Sequence, residues 1–102
     1  MEGDGVMDLL LTYDVDTTSA KGARRLRRVA KLCEGYGLRV QKSVFEIVTD
    51  EADLLRLLAR IDDIIDAERD SIRIYRLPHN GLADVQTLGI AQVQSHRDDL
   101  VL

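Results

Sequence analysis

The stretch Asp8–Gly37, DLLLTYDVDTTSAKGARRLRRVAKLCEGYG, decides how this chain folds. Asp8 to Val15 is a compact β-prone run, and it stops in Asp16-Thr17-Thr18-Ser19, a cluster of turn and cap formers. That is a strand followed at once by the start of a helix. From Ala20 to about Tyr36, the residues Ala23, Leu26, Val29, Ala30 and Cys33 recur at helical spacing, with Lys21, Arg24, Arg28 and Lys31 opposite them. The segment reads as an amphipathic helix with a cationic outer face. Gly35-Tyr36-Gly37 is expected to end it with a residue in the left-handed conformation.

Downstream, Leu38 to Val48 (LRVQKSVFEIV) alternates as β structure does, with Gln41-Lys42 the expected bend of a hairpin. Thr49 and Asp50 are good N-cap residues, and Leu54, Leu57, Leu58, Ile61, Ile64 and Ile65 then form the apolar stripe of a second helix. After an acidic turn, Ser71 to Leu77 (SIRIYRL) is a strand, stopped by Pro78 and the Asn80-Gly81 turn signal. The order βαββαβ is that of an α+β, ferredoxin-like sandwich, an antiparallel four-stranded sheet with both helices on one face.

The other sheet face is then bare, and a second copy of the chain is its expected cover. Asp84 to Leu88 is expected to form a short fifth strand that pairs with the partner protomer. The apolar end Leu100-Val101-Leu102 suggests docking on a partner subunit. Residues 1–6 read as a leader and 7–102 as a single domain, with 78–102 an extension for dimer or partner contacts.

The 102 residues are enough for one core, and a homodimer is the default expectation for a domain of this size. The formal net charge of -4 argues, taken whole, against a nucleic-acid binder. The average hides an asymmetry. Lys21 to Lys31 holds six cations and no anion, whereas Ser43 to Asp70 holds nine carboxylates against three arginines. The only cysteine, Cys33, has no internal partner, the start Met1-Glu2-Gly3-Asp4 is acidic where a signal peptide is basic, and no apolar run reaches a membrane span. A cytoplasmic location is the expectation.

Tyr13-Asp14-Val15-Asp16 is the most suggestive group for chemistry, because a strand end feeding a loop is where a rigid scaffold presents functional side chains. A carboxylate at Asp14 can ligate a hard divalent cation, and two copies related by a dimer axis make a more credible site than one. The competing reading makes Asp14 and Asp16 turn and cap residues ahead of the helix. Arg24 and Arg28, four residues apart, project together, and with Arg27 and Lys31 they form either a solvated face or a stripe that tracks phosphates. No interleaved carboxylate mixes the signs along that helix.

No phosphate loop, zinc pattern or dinucleotide fingerprint is present. Cys33 and Phe45 read as core residues, Ser43 as unactivated, and His79 and His96 as solvated. Asp62, Asp63, Asp66, Glu68 and Asp70 read as the solvated end of the second helix and its turn, with a meeting with a basic partner as the alternative.

Four segments, TYDV, RRLRRVAKLCEGYG, RVQKSVFEI and DSIRIYRL, stand in this order from Met7 onward, and a final DDLVL follows. Together they resemble the small CRISPR-associated protein of spacer acquisition. The resemblance implies a homodimer that binds duplex DNA and bridges integrase subunits, together with metal-dependent endonuclease activity on RNA or DNA. It implies that Asp14 pairs with its counterpart in the second protomer to hold magnesium or manganese, as ligand and not nucleophile, with Asp16 as an auxiliary residue. Arg24, Arg28, Lys31 and Arg27 are the expected nucleic-acid contacts. A non-catalytic scaffold and a toxin-like ribonuclease of the same fold are the alternatives. A small-molecule regulatory module ranks last, since Asp16-Thr17-Thr18-Ser19 is not a glycine-rich ligand loop.

Overall fold

Alternation along the first strand decides which side of the sheet is dry. In the computed structural model, which describes residues 5–89, β1 (Val6–Asp14) buries Leu9, Leu11 and Tyr13 and turns Leu10, Thr12 and Asp14 to the opposite side. The strand begins and ends slightly earlier than Asp8–Val15, and Val15 is buried just beyond it.

Ser19 then caps α1 (Ala20–Glu34), its Oγ accepting the Gly22 N–H at 3.1 Å. The helix stops short of Tyr36, and its end departs from the expected left-handed cap. Gly35 is right-handed, at φ -78°. The last turn tightens instead, with Gly35 N–H donating to the Leu32 carbonyl at 3.1 Å and Tyr36 N–H to that of Cys33 at 2.9 Å. Gly37 is required for another reason: a Cβ there would collide with the Glu46 carbonyl oxygen and lie 2.6 Å from Ile47 Cγ1.

β2 (Gly37–Gln41) and β3 (Val44–Asp50) turn at Lys42-Ser43, one residue later than Gln41-Lys42. The turn is fixed by tertiary donors. The Lys42 carbonyl accepts Tyr13 Oη at 3.0 Å and Arg39 Nε and Nη2 at 3.1 and 2.7 Å, and a register shift between Arg39 and Gln41 absorbs the offset. Asp50 caps α2 (Glu51–Ile64) by accepting the Asp53 N–H at 2.8 Å, and Leu54, Leu57 and Ile61 face inward. β4 (Ser71–Arg76) completes an antiparallel sheet of order β2-β3-β1-β4.

One apolar cluster joins Leu9, Leu11, Tyr13, Phe45 and Ile47 of the sheet to Val29, Ala30 and Cys33 of α1 and Leu54, Leu57 and Ile61 of α2. Both helices therefore lie on the same face, as the order of elements required. After β4 a 3-10 turn, Gly81–Asp84, is tied back to β1, with Leu82 N–H donating to Asp8 Oδ2 at 3.0 Å. Asp84 to Leu88 pairs with no strand within the described residues of this chain, so the expected fifth strand does not form in the single protomer. Residues 1–4 of the expected leader, His96 and the Leu100-Val101-Leu102 end lie outside the described residues.

Cys33 is fully buried, and burial pushes its thiol up to about 11. At pH 8 only about one molecule in a thousand then carries a thiolate. Iodoacetamide should leave the native protein unmodified at that pH and label it fully in denaturant, with mass spectrometry as the readout. Rapid native labelling would mean that α1 opens far more often than its packing allows.

Candidate strand-end carboxylate and cationic helix

Asp14 is the last residue of β1 and is solvent-exposed. Its ladder partner in β4 is Ser71. Because ladder partners share a face, Asp14 stands on the side of the sheet that the helices leave bare, with Thr12 and Leu10 of β1, Arg73 and Tyr75 of β4, and Val44, Glu46 and Val48 of β3. Tyr75 and Val48 are 44% and 43% exposed. The carboxylate thus lies at one end of a sheet face of mixed polarity that neither α1 nor α2 covers.

Asp16 stands apart from it in role. Its Oδ1 accepts both the Thr18 N–H at 2.9 Å and Thr18 Oγ1 at 2.7 Å, and these bonds hold its carboxyl below the ordinary carboxylate value. The structure gives Asp16 the job of closing the loop between β1 and α1.

The cations divide. Arg24, Arg27, Arg28 and Lys31 are all exposed, and none forms an ion pair among the described residues. Arg27 and Lys31, with Leu26, Ala30, Glu34 and Arg39, line a shallow groove of about 330 Å³ between α1 and β2. These side chains belong to the helix layer, whereas Asp14 belongs to the bare sheet face. One protomer does not bring the two sets together.

Arg25 and Asp70 are the pair that the sequence reading missed. Asp70 was expected to be solvated, but its side chain is fully buried, and it accepts Arg25 Nε at 2.7 Å and Nη2 at 3.3 Å, Asp16 N–H at 3.0 Å and Asp66 N–H at 2.8 Å. Burial alone would raise its carboxyl, but Arg25 and the two backbone donors outweigh this and hold it below the ordinary value. A signal was available in the sequence. Arg25 lies three residues after Gly22 and four before Val29, both buried, so it falls on the inner side of α1, where a cation needs a partner.

Among the described residues no group of three or more His, Cys, Asp or Glu is placed to hold a metal ion. Asp14 offers one exposed carboxylate per chain. That suits a hard cation which keeps several waters, provided a second copy supplies the matching carboxylate. His79 is exposed, as expected. No helix among the described residues is long and apolar enough to cross a membrane.

Fold and site together define a small ferredoxin-like α+β protein with an exposed carboxylate at the end of β1, on the sheet face that α1 and α2 leave uncovered. A family model described as CRISPR associated protein Cas2 matches residues 7–85, and the chain belongs to that family. It is 45% identical over 95 residues to the CRISPR-associated endonuclease Cas2 of Halalkalibacterium halodurans, covering 93% of this chain and 99% of that one. It is 40% identical to the CRISPR-associated endoribonuclease Cas2 of Nitratidesulfovibrio vulgaris over the full length of both. The crystal structure of Streptococcus pyogenes Cas2 superposes with a TM-score of 0.74 at 49% identity, over 81% of this chain and all of that one.

Proposed function

We propose that this chain acts as a homodimer closed through its bare sheet faces, and that it hydrolyses phosphodiester bonds in RNA or DNA with Asp14 as the metal-holding residue. The carrying observation is the position of Asp14, exposed at the end of β1 on the sheet face opposite α1 and α2. A two-fold axis through that face would relate Asp14 to its copy, and the two Asp14 carboxylates would then hold a magnesium or manganese ion. The bound cation supplies an activated water and neutralises charge on the phosphate. Asp14 itself holds and orients. The relatives named endonuclease and endoribonuclease support the nuclease reading.

The same dimer serves spacer acquisition by binding duplex DNA and bridging integrase subunits. The unpaired cations of α1 favour this scaffold role, because they lie away from Asp14 and are free to meet phosphates without any chemistry. Charge reversal at Arg24 and Arg28 should weaken duplex binding and flatten the slope of log affinity against log salt by roughly 0.9 per lost phosphate contact. Fluorescence anisotropy across a salt series reads this, and an unchanged slope removes Arg24 and Arg28 from the interface.

The deciding assay offers duplex DNA and single-stranded RNA to the purified protein with and without magnesium. Metal-dependent cutting is expected. Duplex binding with no cutting under any condition would leave the scaffold role alone.

A further inference from the structure

Asp70 is the only buried charged side chain among the described residues. It ties together four parts of the fold: the loop after β1 through Asp16, helix α1 through Arg25, the exit of α2 through Asp66, and the start of β4, which it immediately precedes. Two of those parts set the direction of Asp14. Asp16 lies two residues beyond it along the chain, and Ser71, next to Asp70, is its ladder partner.

The grip on Asp16 is two-sided. Its N–H donates to Asp70 Oδ1 at 3.0 Å, while its carbonyl accepts Arg25 Nη2 at 3.5 Å. Helix α1 also approaches that carbonyl so closely that a Cβ at Gly22 would collide with it. A buried pair of this kind adds little net stability compared with a well-packed apolar substitute, since desolvation offsets the attraction. Its distinctive consequence is geometric: the backbone on either side of the strand-end carboxylate is anchored to one buried acid.

We propose that the Arg25–Asp70 pair positions Asp14, clamping the loop that follows it and the start of β4 opposite it without touching substrate. This rests on the reading that Asp14 holds the metal ion. Neither residue faces the bare sheet side, so both act through the backbone. An outer partner that orients a ligating group is worth roughly 10- to 100-fold in metal affinity or activity when removed, and a clamp made of side chains on two different elements is a rigid form of such support.

The test compares Arg25→Lys, which keeps the charge but not the two-pronged donor, and Asp70→Asn, which keeps the shape but turns an amide N–H2 toward two of the four donors, with Leu57→Ala, a core truncation in α2 away from the clamp. Two readouts are taken on each full-length protein. One is the set of 15N–1H signals of Asp14, Val15 and Asp16, followed for amide exchange and for their response to magnesium. The other is cleavage, resolved into kcat and KM.

The clamp variants should lose exchange protection at the Asp16 amide, weaken the magnesium response at Asp14, and lower kcat about 10- to 100-fold with KM for nucleic acid unchanged. Leu57→Ala should keep all three in its folded fraction. Wild-type kcat and magnesium response in the clamp variants would overturn the proposal, as would an equal loss in Leu57→Ala. If wild type shows no magnesium response at Asp14, or Asp14→Ala cuts as well as wild type, the metal reading itself falls and the positioning role falls with it. That outcome is recognised without the clamp variants.

Discussion

Asp70→Ala should lose about 3–5 kcal/mol of folding free energy at neutral pH, the range expected when one partner of a buried ion pair is removed and the other left behind. The truncation strands the Arg25 guanidinium, whose side chain is only 16% exposed, and orphans the N–H groups of Asp16 and Asp66. A domain of this size has on the order of 5–15 kcal/mol in total, so a large share of the variant would be unfolded under mild stress. The loss carries a pH signature. The folded-state carboxyl is held below its unfolded value, so its contribution is fully present above the ordinary aspartate range, near 3.9, and disappears as pH falls through the folded value. Denaturant unfolding at pH 7, 5 and 3 should show wild type converging on Asp70→Ala at the acid end. Parallel curves would mean that Asp70 carries no pH-linked stability.

Where a residue's role is set by its near neighbours, the sequence was readable. Ser19 and Asp50 cap the two helices because their side chains reach a backbone N–H three residues on, and nothing distant is needed for that. Leu54, Leu57 and Ile61 face the core because helical spacing leaves them no other direction once the sheet is placed. The order of strands followed from the same periodicities and from short connections.

Two of the misreadings involve partners far away in the chain. The hairpin bends at Lys42-Ser43 because Tyr13, separated from Lys42 by 29 positions, donates to that turn. Asp70 is buried and not solvated because Arg25 lies 45 positions away in sequence yet 2.7 Å away in space. The candidate site was legible for a third reason. Asp14 ends a strand and feeds a cap cluster, so its exposure could be inferred locally. Its proposed second carboxylate belongs to another copy, which no periodicity in one chain reveals.

Asp14→Ala should abolish metal-dependent cleavage while leaving fold and dimer intact, and the separation of these effects is the informative part. Among the described residues Asp14 is exposed and its side chain makes no hydrogen bond or ion pair, so truncation should change stability by no more than about 0.5 kcal/mol, as for an ordinary surface position. Losing a metal ion that stabilises transition-state charge by several kcal/mol should lower the rate on the order of 10³-fold or more. The dimer adds a check that catalysis alone cannot give. Two like carboxylates facing each other across a two-fold axis repel when no cation lies between them. In metal-free buffer Asp14→Asn should therefore dimerise at least as tightly as wild type, and magnesium should tighten wild type but not the variant, as read by analytical ultracentrifugation. If magnesium tightens both equally, the ion binds elsewhere. If Asp14→Ala cuts as fast as wild type, the chemistry belongs to another residue and Asp14 is only the end of a strand.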